Sequence, residues 1–232
     1  DGTGLHMAMH RFAVTGLGRF GARLASNLAT AGEEVIGIDR DRRIIEEMRD
    51  RVTLAVAMDA TDEKALTMHG IEQVDVAVIS IGENFEAAAL ATVLLKQLGV
   101  KRVISRAVTP TGGRILSRIG ADDVVNPEDE AADRWANRLI SPQFQSHFEV
   151  APGHSIVEMK TPRAWVGKTL IDLQLRAKQQ VHVVAVKRPA KSDSPAPLPA
   201  ALHMPEPGRA LEADDTLVLL GKDSALADLP DE

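Results

Sequence analysis

The sequence predicts a doubly wound, parallel α/β domain of the Rossmann type, followed by a smaller α+β domain. First, short β-branched runs alternate with longer helical patterns from residue 11 to about residue 140, which is typical of consecutive βαβ units. Second, these runs are almost continuously apolar, as expected for strands that helices cover on both faces. Third, five strand–helix pairs end in a sixth strand, which is the doubly wound pattern.

The first domain contains the six strands and the five helices between them. The predicted strands are Arg11–Thr15, Glu34–Ile38, Leu54–Ala57, Val74–Ser80, Arg102–Ser105 and Asp123–Val125. The predicted helices are Phe20–Thr30, Arg40–Arg51, Asp62–His69, Phe85–Leu98 and Thr111–Ile119. A sixth helix begins at Asn126-Pro127-Glu128, because Asn favours the N-cap, Pro the first helical position and acids the first turn.

The second domain follows a predicted boundary at Ser141-Pro142, so that the first domain spans residues 11–142 and the second spans residues 143–232. Residues 1–10 are interpreted as a tag remnant outside the fold. Residues 189–207 hold six of the twelve prolines and are expected to form a poorly ordered insertion. Strands are predicted at Phe148–Val150, Ser155–Lys160, Val181–Lys187 and Leu217–Leu220, with a helix at Leu170–Ala177.

The composition excludes several classes of function. Cysteine is absent, which rules out a disulfide framework, a thiolate metal site and a cysteine nucleophile. No segment approaches the roughly 18 consecutive apolar residues that a membrane helix needs, so direct membrane insertion is not expected. A net charge of −6 argues against a broad basic surface, and no nucleic-acid partner is expected.

The motif that carries chemistry is the segment Gly16-Leu17-Gly18-Arg19-Phe20-Gly21, a G-x-G-x-x-G between the first predicted strand and the first predicted helix. The first glycine permits a tight turn, the second lets the backbone approach a diphosphate, and the third allows close helix–strand packing. The helix N-terminus then presents free N–H groups and a positive dipole end to the anion.

Asp39 strengthens this interpretation because it ends the second predicted strand, 18 residues after Gly21. An acid at that place accepts hydrogen bonds from a ribose diol. It disfavours a 2′-phosphate, although Arg40 beside it partly offsets that preference. The sequence therefore predicts a site for an adenine nucleotide, which is ATP, ADP or NAD(H).

The same fingerprint occurs in dehydrogenases, which need a proton donor or acceptor beside the nicotinamide. Tyr and Cys are absent from the chain, and His69 is the only histidine in residues 11–142. A helix end before Gly70 explains His69 well enough. We therefore predict a nucleotide sensor and no enzymatic activity, with a small NAD-dependent oxidoreductase as the alternative.

An ordered set of further motifs accompanies the glycine-rich turn. The set is Thr15–Gly21, Val35–Asp39, Met58-Asp59-Ala60-Thr61, Ser80–Asn84, Ser105-Arg106-Ala107, Ile119–Asp122, Asn126-Pro127-Glu128, and later Val166–Leu170 and Val183–Val186. With these motifs the chain resembles the potassium-transport nucleotide-binding domains, also called KTN or RCK domains, of the TrkA and KtrA kind. The resemblance covers nearly the whole chain after residue 10.

The resemblance implies a function that composition alone does not show. Proteins of this family form homodimers that assemble into rings beneath a membrane potassium-translocating subunit. Bound ATP, ADP or NAD(H) changes the shape of the ring and opens or closes the pore. By this resemblance the chain is a cytoplasmic regulatory subunit, peripheral to the inner membrane through its transporter partner.

The resemblance also implies ligand contacts outside the backbone of the turn. Arg19 reaches the terminal phosphate of ATP, including one held by a neighbouring subunit, and Arg106 meets phosphates. Glu128 helps to hold Mg²⁺ or another cation near them. The other implied contacts are Asp59 and Ala60 beside the adenine, and Gly82 and Asn84 along the cleft.

Each of these positions also has a purely structural interpretation. Arg19 can be a solvated first-turn residue, although a cation at a helix N-terminus opposes the helix dipole. Glu128 stabilises a helix start through the dipole alone. Asn84 is an ordinary N-cap residue, and the two roles are compatible. Arg106 ends a strand at the edge of the sheet where open α/β sheets bind ligands.

Overall fold

The structure, a computed structural model, describes residues 10–140, 143–189 and 201–230. These residues belong to two compact units, one up to Glu130 and the other from Ala131 onward. The predicted tag remnant up to Met9, the boundary residues Ser141-Pro142 and residues 190–200 of the predicted insertion lie outside the described ranges. The domain boundary at residue 142 stays a prediction.

A six-stranded parallel sheet forms the centre of the first unit. Its strands are β1 (Arg11–Thr15), β2 (Glu34–Asp39), β3 (Leu54–Ala57), β4 (Val76–Ile79), β5 (Arg102–Arg106) and β6 (Asp123–Val125). Its helices are α1 (Arg19–Thr30), α2 (Arg42–Met48), α3 (Glu63–Met68), α4 (Phe85–Gln97) and α5 (Pro110–Arg118), and α6 (Pro127–Ile140) begins in this unit and ends in the second. The strand order is β3-β2-β1-β4-β5-β6, which confirms the predicted doubly wound fold.

Helices cover both faces of this sheet, and neighbouring residues of a strand alternate between two cores. Val14 of β1 and Val78 of β4 belong to the core that includes Ala25 of α1. Ala13, one residue earlier in β1, belongs to the other core, with Leu95 of α4. The strands are continuously apolar because each face is buried, which is why their sequences lack polar–apolar alternation.

The bounds of α2 differ from the prediction of a helix over Arg40–Arg51. The side chain of Asp41 caps the helix by accepting from the N–H of Arg43, so α2 starts at Arg42 and is seven residues long. An aspartate that binds the backbone two residues ahead favours the N-cap over the helix interior. Arg40 and Asp41 therefore lie in the turn between β2 and α2.

A five-stranded antiparallel sheet forms the second unit, with the elements β7 (Phe144–Ala151), β8 (His154–Lys160), α7 (Leu170–Leu173), α8 (Leu175–Gln179), β9 (His182–Arg188), β10 (Ala201–His203), β11 (Thr216–Lys222) and α9 (Asp223–Ala227). The sheet order is β10-β9-β11-β8-β7. Val157, Met159, Leu217 and Leu219 are buried on one face of this sheet, around Trp165.

Two expectations for the second unit are wrong in detail. The predicted helix Leu170–Ala177 is two short helices, because Gln174 between them adopts a left-handed conformation with φ of 50°. Ala201–His203, part of the predicted insertion, forms β10 and pairs with β9. All three of its side chains are exposed, so this strand has no buried face that would produce an alternation of apolar and polar residues in the sequence.

None of the helices in the described ranges has the length and apolar character required to cross a bilayer.

Candidate functional site

The glycine-rich turn lies at the carboxyl end of β1, where the strand order of the sheet reverses. Gly16 has a φ of +82°, which L-residues with side chains rarely adopt, and its N–H donates to the carbonyl of Ile38 at 2.8 Å. A Cβ atom at Gly21 would lie 2.0 Å from the Gly16 carbonyl oxygen. The helix α1 can therefore pass this close to the turn only because Gly21 has no side chain.

Gly18 lies on the open side of the same turn. A Cβ atom there would meet no other atom within 4 Å. Leu17 between the glycines is 2% exposed and packs into the core, so the accessible surface of the turn is formed by its neighbours. Phe20 is half-buried, and Arg19 is exposed and forms no ion pair with any described residue. The turn thus presents backbone, open space and one unpaired cation.

The N-terminus of α1 has no protein cap. Gly18 at its N-cap offers no side-chain hydrogen bond, and the first turn contains no acidic residue. In contrast, side chains cap α2, α3, α4 and α5 in the same unit. The first N–H groups of α1 and the positive end of its dipole are therefore left for solvent or an anion.

Asp39 is placed beside the turn by the end of β2, and both of its carboxylate oxygens accept backbone hydrogen bonds. The N–H of Leu17 donates to Oδ2 at 2.7 Å, and the N–H of Asp41 donates to Oδ1 at 2.9 Å. A carboxylate has about four acceptor positions, so each oxygen keeps capacity for a ribose hydroxyl. Asp39 also positions the turn itself, a role that the sequence spacing did not reveal.

The segment after β3 approaches the same corner of the sheet. The N–H of Met58 donates to the carbonyl of Asp39 at 3.0 Å. Asp59 accepts from the hydroxyl of Thr61 at 2.7 Å and from its N–H at 2.9 Å, and these bonds lower the pKa of the Asp59 carboxyl, with a smaller contribution from the charge of Arg40. Ala60 is buried at 6% exposure. An ionised carboxylate and a small apolar residue therefore border the corner beyond Asp39.

Two buried hydroxyls beneath the turn were not predicted as functional residues. Thr15 ends β1 and Ser80 directly follows β4, so the two residues are neighbours at the switch point. The N–H of Ser80 donates to the carbonyl of Thr15 at 2.7 Å. Neither hydroxyl has a hydrogen-bond partner among the described residues. Ser80 Oγ would lie 2.9 Å from a Cβ atom at Gly21. Polar residues at the ends of two apolar strands were the available signal.

On the other side of the switch point, Arg106 extends from the end of β5 towards the end of β4. Its Nη1 would lie 2.7 Å from a Cβ atom at Gly82, so the guanidinium rests where that glycine has no side chain. Its Nη2 donates to Glu128 Oε1 of α6 at 2.5 Å. Asn84 caps α4, since its Oδ1 accepts from the N–H of Ala87 at 3.0 Å. Gly82 and Arg106 also line a cavity of about 270 Å³ with Phe85.

The expected cation site at Glu128 has one carboxylate, and that carboxylate is engaged by Arg106. Within the described ranges no group of three or more His, Cys, Asp or Glu side chains could hold a metal ion. Mg²⁺ is commonly held by one or two carboxylates together with phosphate oxygens, so a cation at Glu128 fits only if a nucleotide supplies other ligands. This assignment stays a prediction.

All of the predicted site residues lie at one edge of the parallel sheet, the edge at which its strands end. The glycine-rich turn, Asp39, Arg40, Asp59 and Ala60 follow β1, β2 and β3, and Gly82, Asn84, Arg106 and Glu128 follow β4, β5 and β6. In open α/β sheets, ligands bind outside this edge at the switch point. The structure thus places the two groups at the same edge, one on each side of the switch point.

Comparison with known proteins supplies an independent identification. Models of the TrkA-N and TrkA-C domains match residues 12–127 and 154–231. Ktr system potassium uptake protein C of Bacillus subtilis is 38% identical over 177 residues, covering 76% of this chain and 80% of that protein. Ktr system potassium uptake protein A of Bacillus subtilis is 30% identical over 211 residues, covering 91% of each chain.

Among solved structures, the GsuK channel bound to NAD shares the fold, with a TM-score of 0.53 at 23% sequence identity, over 96% of this chain and 38% of that chain. The TrkA-N match spans the sheet and its glycine-rich turn, and the TrkA-C match spans β8 to α9 of the second unit. The chain therefore belongs to the TrkA-domain family of Ktr and Trk potassium uptake proteins.

Proposed function

We propose that this chain is a nucleotide-sensing regulatory subunit of a potassium uptake system. The observation that carries the proposal is the N-terminus of α1, which has no capping side chain and no first-turn acid. It opens onto free space at Gly18, at the switch point of the sheet. A diphosphate at this position would satisfy the free N–H groups and the helix dipole together.

The ligand class follows from the groups around that position. The diphosphate binds at Gly16–Gly21, the adenosine ribose binds the free acceptor positions of Asp39, and the adenine lies beside Asp59 and Ala60. ATP, ADP and NAD(H) all carry this adenosine diphosphate group. The GsuK channel, which shares the fold, was solved with NAD. The ionised Asp59 supports recognition of the adenine amino group, a hydrogen-bond donor.

Arg19 and Glu128 act where the nucleotides differ. The backbone of the turn cannot distinguish ATP from ADP, because both present a diphosphate. A third phosphate extends beyond the helix end and requires its own counter-charge, which the exposed, unpaired Arg19 supplies to a γ-phosphate of its own or a neighbouring subunit. Glu128 then contributes a carboxylate to Mg²⁺ or another cation bound by the phosphates.

The residues proposed for the site support nucleotide binding and include no side chain suited to proton exchange in hydride transfer. The chain contains no Tyr and no Cys, and none of the residues assigned to the site is a His. We therefore propose that the bound nucleotide is a signal and is not turned over. A small NAD-dependent oxidoreductase, which the Rossmann geometry also allows, is the alternative to be tested.

The partner is a membrane potassium-translocating subunit. Membership of the TrkA-domain family and the similarity to the Ktr proteins support this assignment. We propose that the chain acts at the cytoplasmic face as a homodimer that assembles into a larger ring. Nucleotide exchange changes the shape of the ring, and the ring gates the partner.

Calorimetric titration with ATP, ADP, NADH and NADPH tests the ligand assignment. We expect binding of the first three, and weaker binding of NADPH because the carboxylate of Asp39 repels a 2′-phosphate. Absence of binding by all four nucleotides at millimolar concentration would refute the proposal. Potassium flux into vesicles that contain the membrane subunit, with and without this chain and each nucleotide, then tests gating.

A further inference from the structure

Arg106 is a partly buried cation whose charge is balanced by a single carboxylate. Its side chain is 19% exposed, and its Nε is buried without a hydrogen-bond partner. The only ion pair of its guanidinium among the described residues joins Nη2 to Glu128 Oε1. A buried guanidinium with unused donors attracts any anion that can reach it.

The position of Arg106 places these donors at the edge of the proposed phosphate site. The residue ends β5, and its guanidinium rests on Gly82 after β4, the strand that adjoins β1 at the switch point. Glu128 reaches the guanidinium from the first turn of α6. In the structure Arg106 is therefore already paired with an anion of the protein itself, the carboxylate of Glu128.

Glu128 can leave Arg106 at small cost. Its side chain is 60% exposed, so water can replace the guanidinium as its partner. It lies in the first turn of a 14-residue helix, where the dipole stabilises a carboxylate whether or not Arg106 is paired. The N-cap of α6 does not depend on it, since Asn126 accepts from the N–H of Asp129 at 3.2 Å.

We propose that Glu128 is an internal competitor for phosphate: it occupies Arg106 in the nucleotide-free protein and is displaced when a phosphate binds there. The inference rests on the proposed nucleotide function. As a cation ligand, Glu128 would increase the affinity for a nucleotide. Without a divalent cation, its carboxylate instead competes with the phosphate for Arg106 and lowers that affinity. Nucleotide binding thereby releases the first turn of α6 from β5.

The test is ADP affinity in the presence of EDTA for the wild-type protein, Glu128→Gln and Glu130→Gln. Glu130→Gln is the matched control. It removes the same charge from the same helical turn, and Glu130 forms no ion pair with Arg106. We expect Glu128→Gln to bind ADP about 3- to 5-fold more tightly, the upper part of the range for loss of a solvent-screened ion pair. Glu130→Gln should stay within about twofold of the wild type.

A second pair of variants shows whether any gain passes through Arg106. In an Arg106→Gln background, Glu128→Gln should no longer increase ADP affinity. Equal or weaker binding by Glu128→Gln than by Glu130→Gln would overturn the inference, and so would a gain that persists without Arg106. Absence of ADP binding by every protein, including the wild type, would instead refute the proposed nucleotide function.

Discussion

Gly18 and Gly21 lie three residues apart in one turn, yet alanine should affect them in opposite ways. At Gly18, φ is −65° and ψ is −170°, which alanine adopts freely, and the added methyl group meets nothing within 4 Å. The fold should therefore be kept, or stabilised by about 0.4–1 kcal/mol through the unfolded state. The methyl group would instead occupy the space through which a diphosphate reaches the α1 N–H groups.

The expected loss of binding can be estimated from one charge-assisted hydrogen bond. Such a bond contributes about 1.5–3 kcal/mol, so Gly18→Ala should weaken ADP by about 10- to 150-fold.

At Gly21 the methyl carbon would lie 2.0 Å from the Gly16 carbonyl oxygen, far inside the 3.0 Å that real Cβ contacts respect. The obstacle is backbone, so α1 must shift by about 1 Å. Overpacking of this kind costs about 1–3 kcal/mol. At about 2–4 °C per kcal/mol for a chain of this size, the upper value lowers Tm by about 6–12 °C.

Thermal melting followed by circular dichroism and ADP calorimetry on the same preparations separate the two effects. Gly18→Ala should have a Tm equal to or above that of the wild type and should bind ADP about 10- to 150-fold more weakly. Gly21→Ala should melt well below it. Full ADP affinity in Gly18→Ala would refute phosphate binding at α1, and an unchanged Tm in Gly21→Ala would refute the packing argument.

The remaining predictions concern the ligand, the chemistry and the assembly. Asp39→Ala should weaken the binding of ATP, ADP and NADH alike. It should also weaken the binding of inorganic pyrophosphate, because the turn loses the hydrogen bond from the N–H of Leu17 to Asp39. Unchanged affinities in calorimetry would remove Asp39 from the site. Arg19→Ala should weaken ATP by about 10- to 150-fold and ADP much less, and equal losses would make Arg19 a general phosphate contact. A substrate screen should detect no NADH oxidation, and an activity that disappears in Gly18→Ala would establish the oxidoreductase alternative. Light scattering should give at least a dimer, and a mass near 25 kDa at every concentration, with and without nucleotide, would contradict this.

The strands of the first unit could be predicted closely because their signals are local. β1, β3 and β6 have the predicted bounds, since each is a short apolar run between turn or capping residues. α2 could not be bounded in this way, because Asp41 is compatible with a helix interior until its side chain is seen to bind the N–H of Arg43. β10 was missed because its side chains are exposed and its order comes from pairing with Arg188 and its neighbours in β9.

The features of the candidate site likewise fall into those that the sequence predicts and those that require the tertiary structure. The positions of the glycines, of Asp39 and of the acidic first turn of α6 are properties of the sequence, because turns, caps and helix dipoles act over a few residues. That Asp39 already binds the backbone of Leu17, 22 residues away in the chain, required the tertiary structure.

The pairing of Arg106 with Glu128 likewise joins residues 22 positions apart. Both appear in the sequence only as separate candidates for phosphate and cation binding. The sequence by itself determined the fold class and the place at which anion binding is predicted, since backbone conformation and burial pattern are encoded locally. Only the tertiary structure decided which charged groups meet and neutralise each other, because those distances depend on the packing of β5 against β4 and β6.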